Sequence, residues 1–477
     1  MARKLHGNNL LGANAVLARA PTPCVSPHMQ PMNATHQLAQ YVHQSRWSDL
    51  PEPVRHEAVR AFVNWVGCAY GGGAHPAVSS ALAAVRELST SSQCSVLGCA
   101  QRLDPLNAAL INGLSASAYA FDDTHLSSIG HPTAPTAAAL LAYAELHSVA
   151  GPDFLHALII ANEVQCRLSC ALAVQPAQVH VGLYMTGLVG AIGVAAGIGK
   201  LMGLSEQQLV WAMGIGATQG GGFRATHASM CSGLIPANAG RNGLFAALLA
   251  AKDFNCTDDA LETTNGFLQV FGNPPNIEAL TDRLGQHYEC MNVAAKPFPA
   301  GCFIHPSIEA CLDLVQSHDF DSSEVERIEL QVYKLGIGLT GKSEPRHGYD
   351  SQVSVYHWAA AVLHHRRAGL REASDECVND PAVVALRKRV HVTVCDDLQA
   401  DEARAAVILR DGRRFETLVR PCLGSAQRPM TDPQIEAKFV EQASTLLGAQ
   451  RASVLASQCW NLPAAPDVRR AAPGFWG

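Results

Sequence analysis

Gly187, Gly190, Gly193 and Gly197 recur at helical spacing in a stretch, 187–204, made otherwise of small and apolar residues. A helix that shows glycines on one side lets another helix approach its backbone closely, and such a helix has to be packed to persist in water. The rival reading, a phosphate-cradling loop, needs a preceding strand that the sequence does not provide. This feature therefore commits the centre of the chain to helix against helix. Its surroundings agree: from Thr35 to about Phe271 the hydrophobic pattern is helical throughout. Pro51-Glu52-Pro53 opens a helix through Trp65, and Asn107–Ala120, Ala134–Val149 and Phe154–Ala173 follow. The last is apolar almost all round, which marks a buried helix. Ser205 and Gln208 form a capping box for a helix to Gly216.

The pattern changes after Gly272-Asn273-Pro274-Pro275. Glu326–Tyr333 and Arg389–Cys395 alternate as strands, and Ala405–Leu409 and Phe415–Val419 flank Asp411-Gly412, a strong hairpin signal. Helices at about Pro306–Ser317 and Ser354–His364 interleave with them. From Thr431 helix returns, at Pro433–Leu447 and Ala452–Trp460. The expected fold is mainly α: a large all-helical domain, 35–273 plus 432–477, with an inserted smaller α+β lid domain at 274–431. Residues 1–34 hold basic and no acidic residues and read as a disordered leader, with Met32 an alternative start.

Only 16% of the 477 residues are charged against 48% hydrophobic, which predicts a large core and apolar surface covered in an interface. The net charge of −6 comes without a basic stripe, so nucleic acid is not an expected partner. The 187–204 segment is Gly-rich, carries Lys200 and falls short of a full span, so no membrane helix is expected. The 15 cysteines contain no C-x-x-C pair. They read as reduced, buried thiols of a cytoplasmic protein, and the spacings for structural zinc or a cysteine-held iron–sulfur cluster are missing.

The chemistry concentrates in Asn112–Pro132, where Asp122, Asp123, Thr124, His125 and His131 lie within ten residues. Three readings compete: a capping turn with exposed imidazoles, a divalent metal held by carboxylates and imidazoles, and acid–base catalysis by a histidine with a carboxylate to orient it. A second cluster is Lys296-Pro297-Phe298-Pro299, then Gly301-Cys302 opening a helix at Pro306. It is either an ordinary surface lysine or a cation stiffened beside a helix N-terminus for a carboxylate. The third is Ser354-Val355-Tyr356, with Tyr356 either a core residue or a site hydroxyl.

These segments, with Asn238-Ala239-Gly240-Arg241-Asn242-Gly243, resemble in order the N-G, D-D-T-H, H-P-[ST], A-A-R-N-G, K-x-[FY]-P and F-S-x-x-Y motifs of the MmgE/PrpD family. That family contains 2-methylcitrate dehydratases, cis-aconitate decarboxylases and iminodisuccinate epimerases. The resemblance spans roughly 35–460 and implies a homodimer with an active site between the two domains. It also implies cofactor-independent chemistry on a small carboxylic acid by proton abstraction next to a carboxylate. By this resemblance His131 is the acid/base, Lys296 holds a substrate carboxylate, Thr124 and Tyr356 donate hydrogen bonds, and Asp123 orients or caps. Arg241 is architectural, and His125 joins the substrate-binding set.

Three positions depart from the family pattern. Ala120 stands for an aspartate, Tyr184 for a histidine and Ser232 for a lysine. Arg224 or His227 is expected to replace the lost cation and the Tyr184 phenol the lost imidazole. The joint loss predicts a changed substrate or reaction. A lyase, dehydratase or decarboxylase, is the leading expectation. An isomerase or epimerase of a small dicarboxylate and a non-catalytic carboxylate-binding protein are the alternatives.

Overall fold

The computed structural model describes residues 33–471. The leader reading therefore lies outside the described residues except at its end, where Ala34 already begins a helix.

The helical part runs as α1 (Ala34–Gln44), α2 (Glu52–Gly72) and α3 (Pro76–Arg86), then a two-residue hairpin of β1 (Cys94–Ser95) and β2 (Arg102–Leu103), then α4 (Pro105–Ser117). After β3 (Thr124–His125) come α5 (Thr133–Leu146), α6 (Gly151–Ala173), α7 (Met185–Met202), α8 (Glu206–Ala217), α9 (Cys231–Ala250) and the short α10 (Phe267–Phe271). Prolines sit in the first turn of α2, α3, α4 and α6, where a missing N–H costs nothing. The Ser205–Gln208 capping box starts α8.

Helix α7 is long and apolar enough to cross a membrane, yet it is buried at the centre of the bundle, between α6 and α9. The recurrent glycines explain how. A Cβ on Gly193 would stand 2.6 Å from the Ala161 carbonyl oxygen, and one on Gly197 2.8 Å from that of Ala157, both on α6. Adding alanine at either position forces the two backbones apart.

The chain then leaves the bundle gradually. Leu280, Tyr288 and Cys290 still belong to the helical core, beyond the shift in sequence character at 272–275. The strand β4 (Val293–Ala294) pairs antiparallel with β3, Thr124 opposite Ala294 and His125 opposite Val293.

The second core is built on α11 (His305–Ser317), β5 (Val325–Val332), α12 (Lys334–Thr340), α13 (Gly348–Ser351), α14 (Val355–His365), α15 (Asp375–Val378), α16 (Pro381–Arg387), β6 (Val390–Val394), β7 (Ala403–Leu409) and β8 (Arg414–Val419). The sheet order is β6-β5-β7-β8, with β5 and β6 parallel and the other pairs antiparallel. Gly412, at φ +88°, supplies the left-handed residue of the β7–β8 turn. Ile328, Leu330, Ala405, Val407 and Leu409 join buried residues of α11 and α14 in a core of their own.

Helices α17 (Asp432–Leu447), α18 (Ala449–Trp460) and α19 (Val468–Ala471) return to the first core. Phe439 seats against Gly67 of α2, where a Cβ would fall 2.9 Å from the Phe439 Cα. The fold of the described residues is mainly α, with one four-stranded sheet and two two-stranded pairs. The β1–β2 and β3–β4 pairs were not expected, because two-residue strands leave no alternation to read.

Candidate active site

The loop between α4 and α5 is held open by the β3–β4 pair, and that pair brings Lys296 against it from 174 residues away. Lys296 Nζ donates to Asp122 Oδ1 at 3.0 Å, and both side chains are buried. Asp122 Oδ2 has Ser117 Oγ at 3.5 Å. Burial works against ionising Asp122, but Lys296 and the other cations nearby outweigh it and hold the carboxyl below its usual range. The ordinary surface-lysine reading of Lys296 fails, because the side chain is buried and its ammonium pairs with Asp122.

His131 lies beside this pair. Its main-chain N–H donates to Thr186 Oγ1 at 2.7 Å, which ties the loop to α7. Its Nδ1 is 2.7 Å from the Asp123 carbonyl oxygen, 3.2 Å from Thr124 Oγ1 and 3.4 Å from Lys296 Nζ. A carbonyl oxygen only accepts, so the short contact to Asp123 places the proton on Nδ1 and leaves the Nε2 lone pair free. Burial, reinforced by the Lys296 charge, lowers the imidazole to about 4, so it is neutral near pH 7.

A cavity of about 120 Å³ opens in front of this imidazole. Asp122, His131, Lys296, Tyr184, Arg224 and His227 line it, and so do Ala120 and Ser232. All three positions at which the sequence departs from the family pattern therefore face one space. Arg224 donates through Nε to the Leu183 carbonyl at 3.2 Å, and no carboxylate among the described residues pairs with it. The Tyr184 ring stands 6.0 Å from His131 and 5.0 Å, edge-on, from His227. Burial pushes the Tyr184 phenol up, so it remains a neutral donor. His227 is lowered to about 4 by burial and then by Arg224, and its buried Nε2 has no hydrogen-bond partner. The second core contributes Gly301, Cys302, Phe303, Leu339, Thr340 and Gln352. Gln352 donates to the Ala118 carbonyl at 2.9 Å, which joins the two halves at the cavity rim.

Other expected residues stand elsewhere. Thr124 is buried behind His131 and does not line the cavity. Asp123 points to the α5 N-terminus, where Oδ1 faces the Thr133 N–H at 3.4 Å. Burial, with help from Asp122, raises it to about 6. It orients His131 through its main chain, and the carboxylate facing the cavity is Asp122. His125 turns away, with Nδ1 2.7 Å from Ser128 Oγ. Tyr356 is half-buried against the second core and is absent from the cavity wall. One turn upstream, Gln352 and Val353 occupy the place expected for it.

One residue of the site escaped notice in the sequence. Lys438 of α17 is buried, and its Nζ donates to Asn64 Oδ1 at 2.7 Å, the Phe121 carbonyl at 2.7 Å and the Lys296 carbonyl at 2.9 Å. It also sits 4.0 Å from the centre of the Phe121 ring. One ammonium thus clamps the residue before Asp122 and the main chain of Lys296. The available signal was a lysine on the buried stripe Ile435, Lys438, Phe439, Gln442.

Comparison with known proteins agrees with this architecture. The family model for the MmgE/PrpD N-terminal domain matches residues 36–280, and that for the MmgE/PrpD C-terminal domain matches 298–462. A cis-aconitate decarboxylase-like protein, oryM, of Aspergillus oryzae is 27% identical over 471 residues, covering 91% of this chain and 96% of that protein. The cis-aconitate decarboxylase of Aspergillus terreus is 23% identical, covering 91% and 94%. That of Homo sapiens is 27% identical over 367 residues, covering 72% and 74%.

Proposed function

The chain belongs to the MmgE/PrpD family, and from that premise we propose that it is a lyase, dehydratase or decarboxylase, acting on a small carboxylic acid without a cofactor. The observation that carries the reading is the neutral His131, its Nε2 lone pair free, on the wall of a cavity that also holds Lys296 and Arg224. A carboxylate bound by Arg224 presents its neighbouring C–H to His131 Nε2. The imidazole takes the proton, and the electron pair moves onto the carboxylate, whose growing negative charge Arg224 and Lys296 stabilise. In a dehydration, the imidazolium or Lys296 returns a proton to the β-hydroxyl as it leaves as water. In a decarboxylation no C–H proton is taken first: carbon dioxide departs, its C–C electron pair stays on the substrate, and a proton drawn from water and relayed by His131 or Lys296 is added to the carbon. An imidazolium with so low a pKa returns its proton readily.

The names of the relatives support a lyase. Ala120, Tyr184 and Ser232 support a substrate of their own kind, because they leave a less polar wall. An isomerase of a small dicarboxylate shares the first step and differs in returning the proton to the other face. The homodimer and the cytoplasmic setting belong to the same proposal. The exposed Phe223, Phe254 and Val270 offer apolar surface for a dimer. Incubation with a panel of small carboxylic acids in deuterated water, followed by NMR, tests the reading. Loss of water or carbon dioxide from one of them is expected. Deuterium exchange without net conversion would give the isomerase, and no exchange with any binder would remove the catalytic reading.

A further inference from the structure

We infer that His125, Cys170 and Glu289 form a zinc site behind the active-site loop, separate from the cavity. The three come from different places: His125 from β3, Cys170 from the last turn of α6 and Glu289 from the turn before β4. Their ligating atoms all lie within 4.8 Å of one another. His125 Nε2 and Glu289 Oε2 are 3.7 Å apart, against roughly 3.4 Å for two such ligands on a tetrahedral zinc. The remaining separations, within 4.8 Å, would close by side-chain rotation around the ion.

The imidazole is prepared for this role. Nδ1 of His125 is bonded to Ser128 Oγ at 2.7 Å, and the buried Nε2 facing Cys170 and Glu289 has no hydrogen-bond partner. A ring anchored at one nitrogen, with the other turned to a thiol and a carboxylate, is the usual arrangement of a metal-ligating histidine. Glu289 is held in turn by His287 Nε2 at 2.9 Å and Asn292 Nδ2 at 3.1 Å. One thiol, one imidazole and one carboxylate suit a borderline cation such as zinc better than calcium or magnesium.

An entry path is present. Cys170 and Glu289 lie on the wall of a solvent-open cavity of about 670 Å³, with Glu278 and Asp282 beside them. Arg167 also lines it, but its guanidinium is occupied by Glu163 and by the carbonyls of Asp282 and His287. The carboxylates favour a cation at the mouth. On coordination the Cys170 thiol gives its proton to water through this opening, and water takes the fourth position. Such an ion would pin β3 and the approach to β4 onto α6, and so fix the loop that carries Asp122 and His131. It lies behind the cavity, so no reaction step passes through it.

The test uses the full chain, stripped with chelator and titrated with Co²⁺ as a spectroscopic substitute for Zn²⁺. Expected are a thiolate-to-cobalt charge-transfer band saturating at one equivalent, its displacement by Zn²⁺, and a rise in Tm on adding Zn²⁺. Cys170→Ser should abolish the band. Glu289→Gln, which keeps the thiol and the imidazole, should weaken binding about tenfold or more. Should Cys170→Ser fail to fold, Glu289→Gln decides alone. No band and no Tm shift overturns the site. A response unchanged in the variants also overturns it, because the ion then sits elsewhere, for instance at His364, His365 and Asp380.

Discussion

The carbonyl oxygen of Asp123 stands 2.7 Å from Nδ1 of His131 and fixes which nitrogen of that ring meets the cavity. A main-chain atom does this, so the tautomer does not depend on the protonation of any carboxylate. It follows that His131→Ala should lower kcat by about 10²–10⁴-fold while the fold survives. Circular dichroism and a thermal melt beside the rate measurement check this. A folded variant with a near-normal rate would remove His131 from the mechanism.

The same ring sets the acid side of the pH profile. The base has to be neutral, and burial with the Lys296 charge lowers His131 to about 4. Activity should therefore persist as pH falls through 6.5, the ordinary histidine value, and be lost only near 4. kcat/KM measured from pH 3.5 to 8 reads the midpoint. An acid limb at 6 or above would mean that another group acts as base.

Lys438→Met removes the ammonium that holds the Phe121 and Lys296 carbonyls together. Three buried acceptors lose a charge-assisted donor, at a cost of about 3 kcal/mol or more. A lower Tm is expected from that alone. The positioning role further predicts that kcat falls more than KM rises. A drop in Tm with unchanged kinetics would reduce Lys438 to a structural tie.

Two tyrosines should separate cleanly. Tyr356 does not reach the cavity and Tyr184 does. Tyr356→Phe should keep kcat/KM within about twofold. Tyr184→Phe removes a neutral donor from the wall and should lower it by about tenfold, the scale of one lost hydrogen bond. Steady-state kinetics on the two variants with one substrate suffices. The reverse order would return Tyr356 to the site.

Among carboxylic acids, those with fewer carboxylates should be preferred. Two cations line the cavity, and Lys296 is already paired with Asp122. A third carboxylate would be buried without a partner, at several kcal/mol. Weak or absent turnover of 2-methylcitrate and cis-aconitate is expected when kcat/KM is compared across mono-, di- and tricarboxylates. Should either prove the best substrate, Arg224, His227 and Tyr184 supply the missing groups, and single substitutions there should abolish activity.

What could be read in the sequence divides along physical lines. Long helices with a regular stripe, the glycines of α7 and the Asp411-Gly412 hairpin were legible because their signals are local. The segments around His131 and Lys296, whose side chains the structure brings together, stood out as well, through motifs in which charged groups crowd a small-residue background. The choice between Asp122 and Asp123 was not, since adjacent residues share every local cue and differ only in which way the chain turns. Which residue of the Gln352–Tyr356 segment meets the cavity was not legible either: Gln352 and Val353, just before α14, line it, and Tyr356, in the first turn, packs on the second core. Lys438 was hidden because its partners are main-chain carbonyls, which no sequence displays.

The β3–β4 pair joins two residues to two, yet it has a consequence for how such a protein changes over time. Asp122 and Lys296 are brought into register by main-chain hydrogen bonds, which survive almost any exchange of side chains on the opposite wall. Ala120, Tyr184 and Ser232 stand on the side-chain half of the site and could be traded without disturbing that register. The main-chain frame that aligns the Asp122–Lys296 pair is thus separable from the side chains that would choose the molecule, and on the proposed reading new substrates can be tried without first rebuilding that pair.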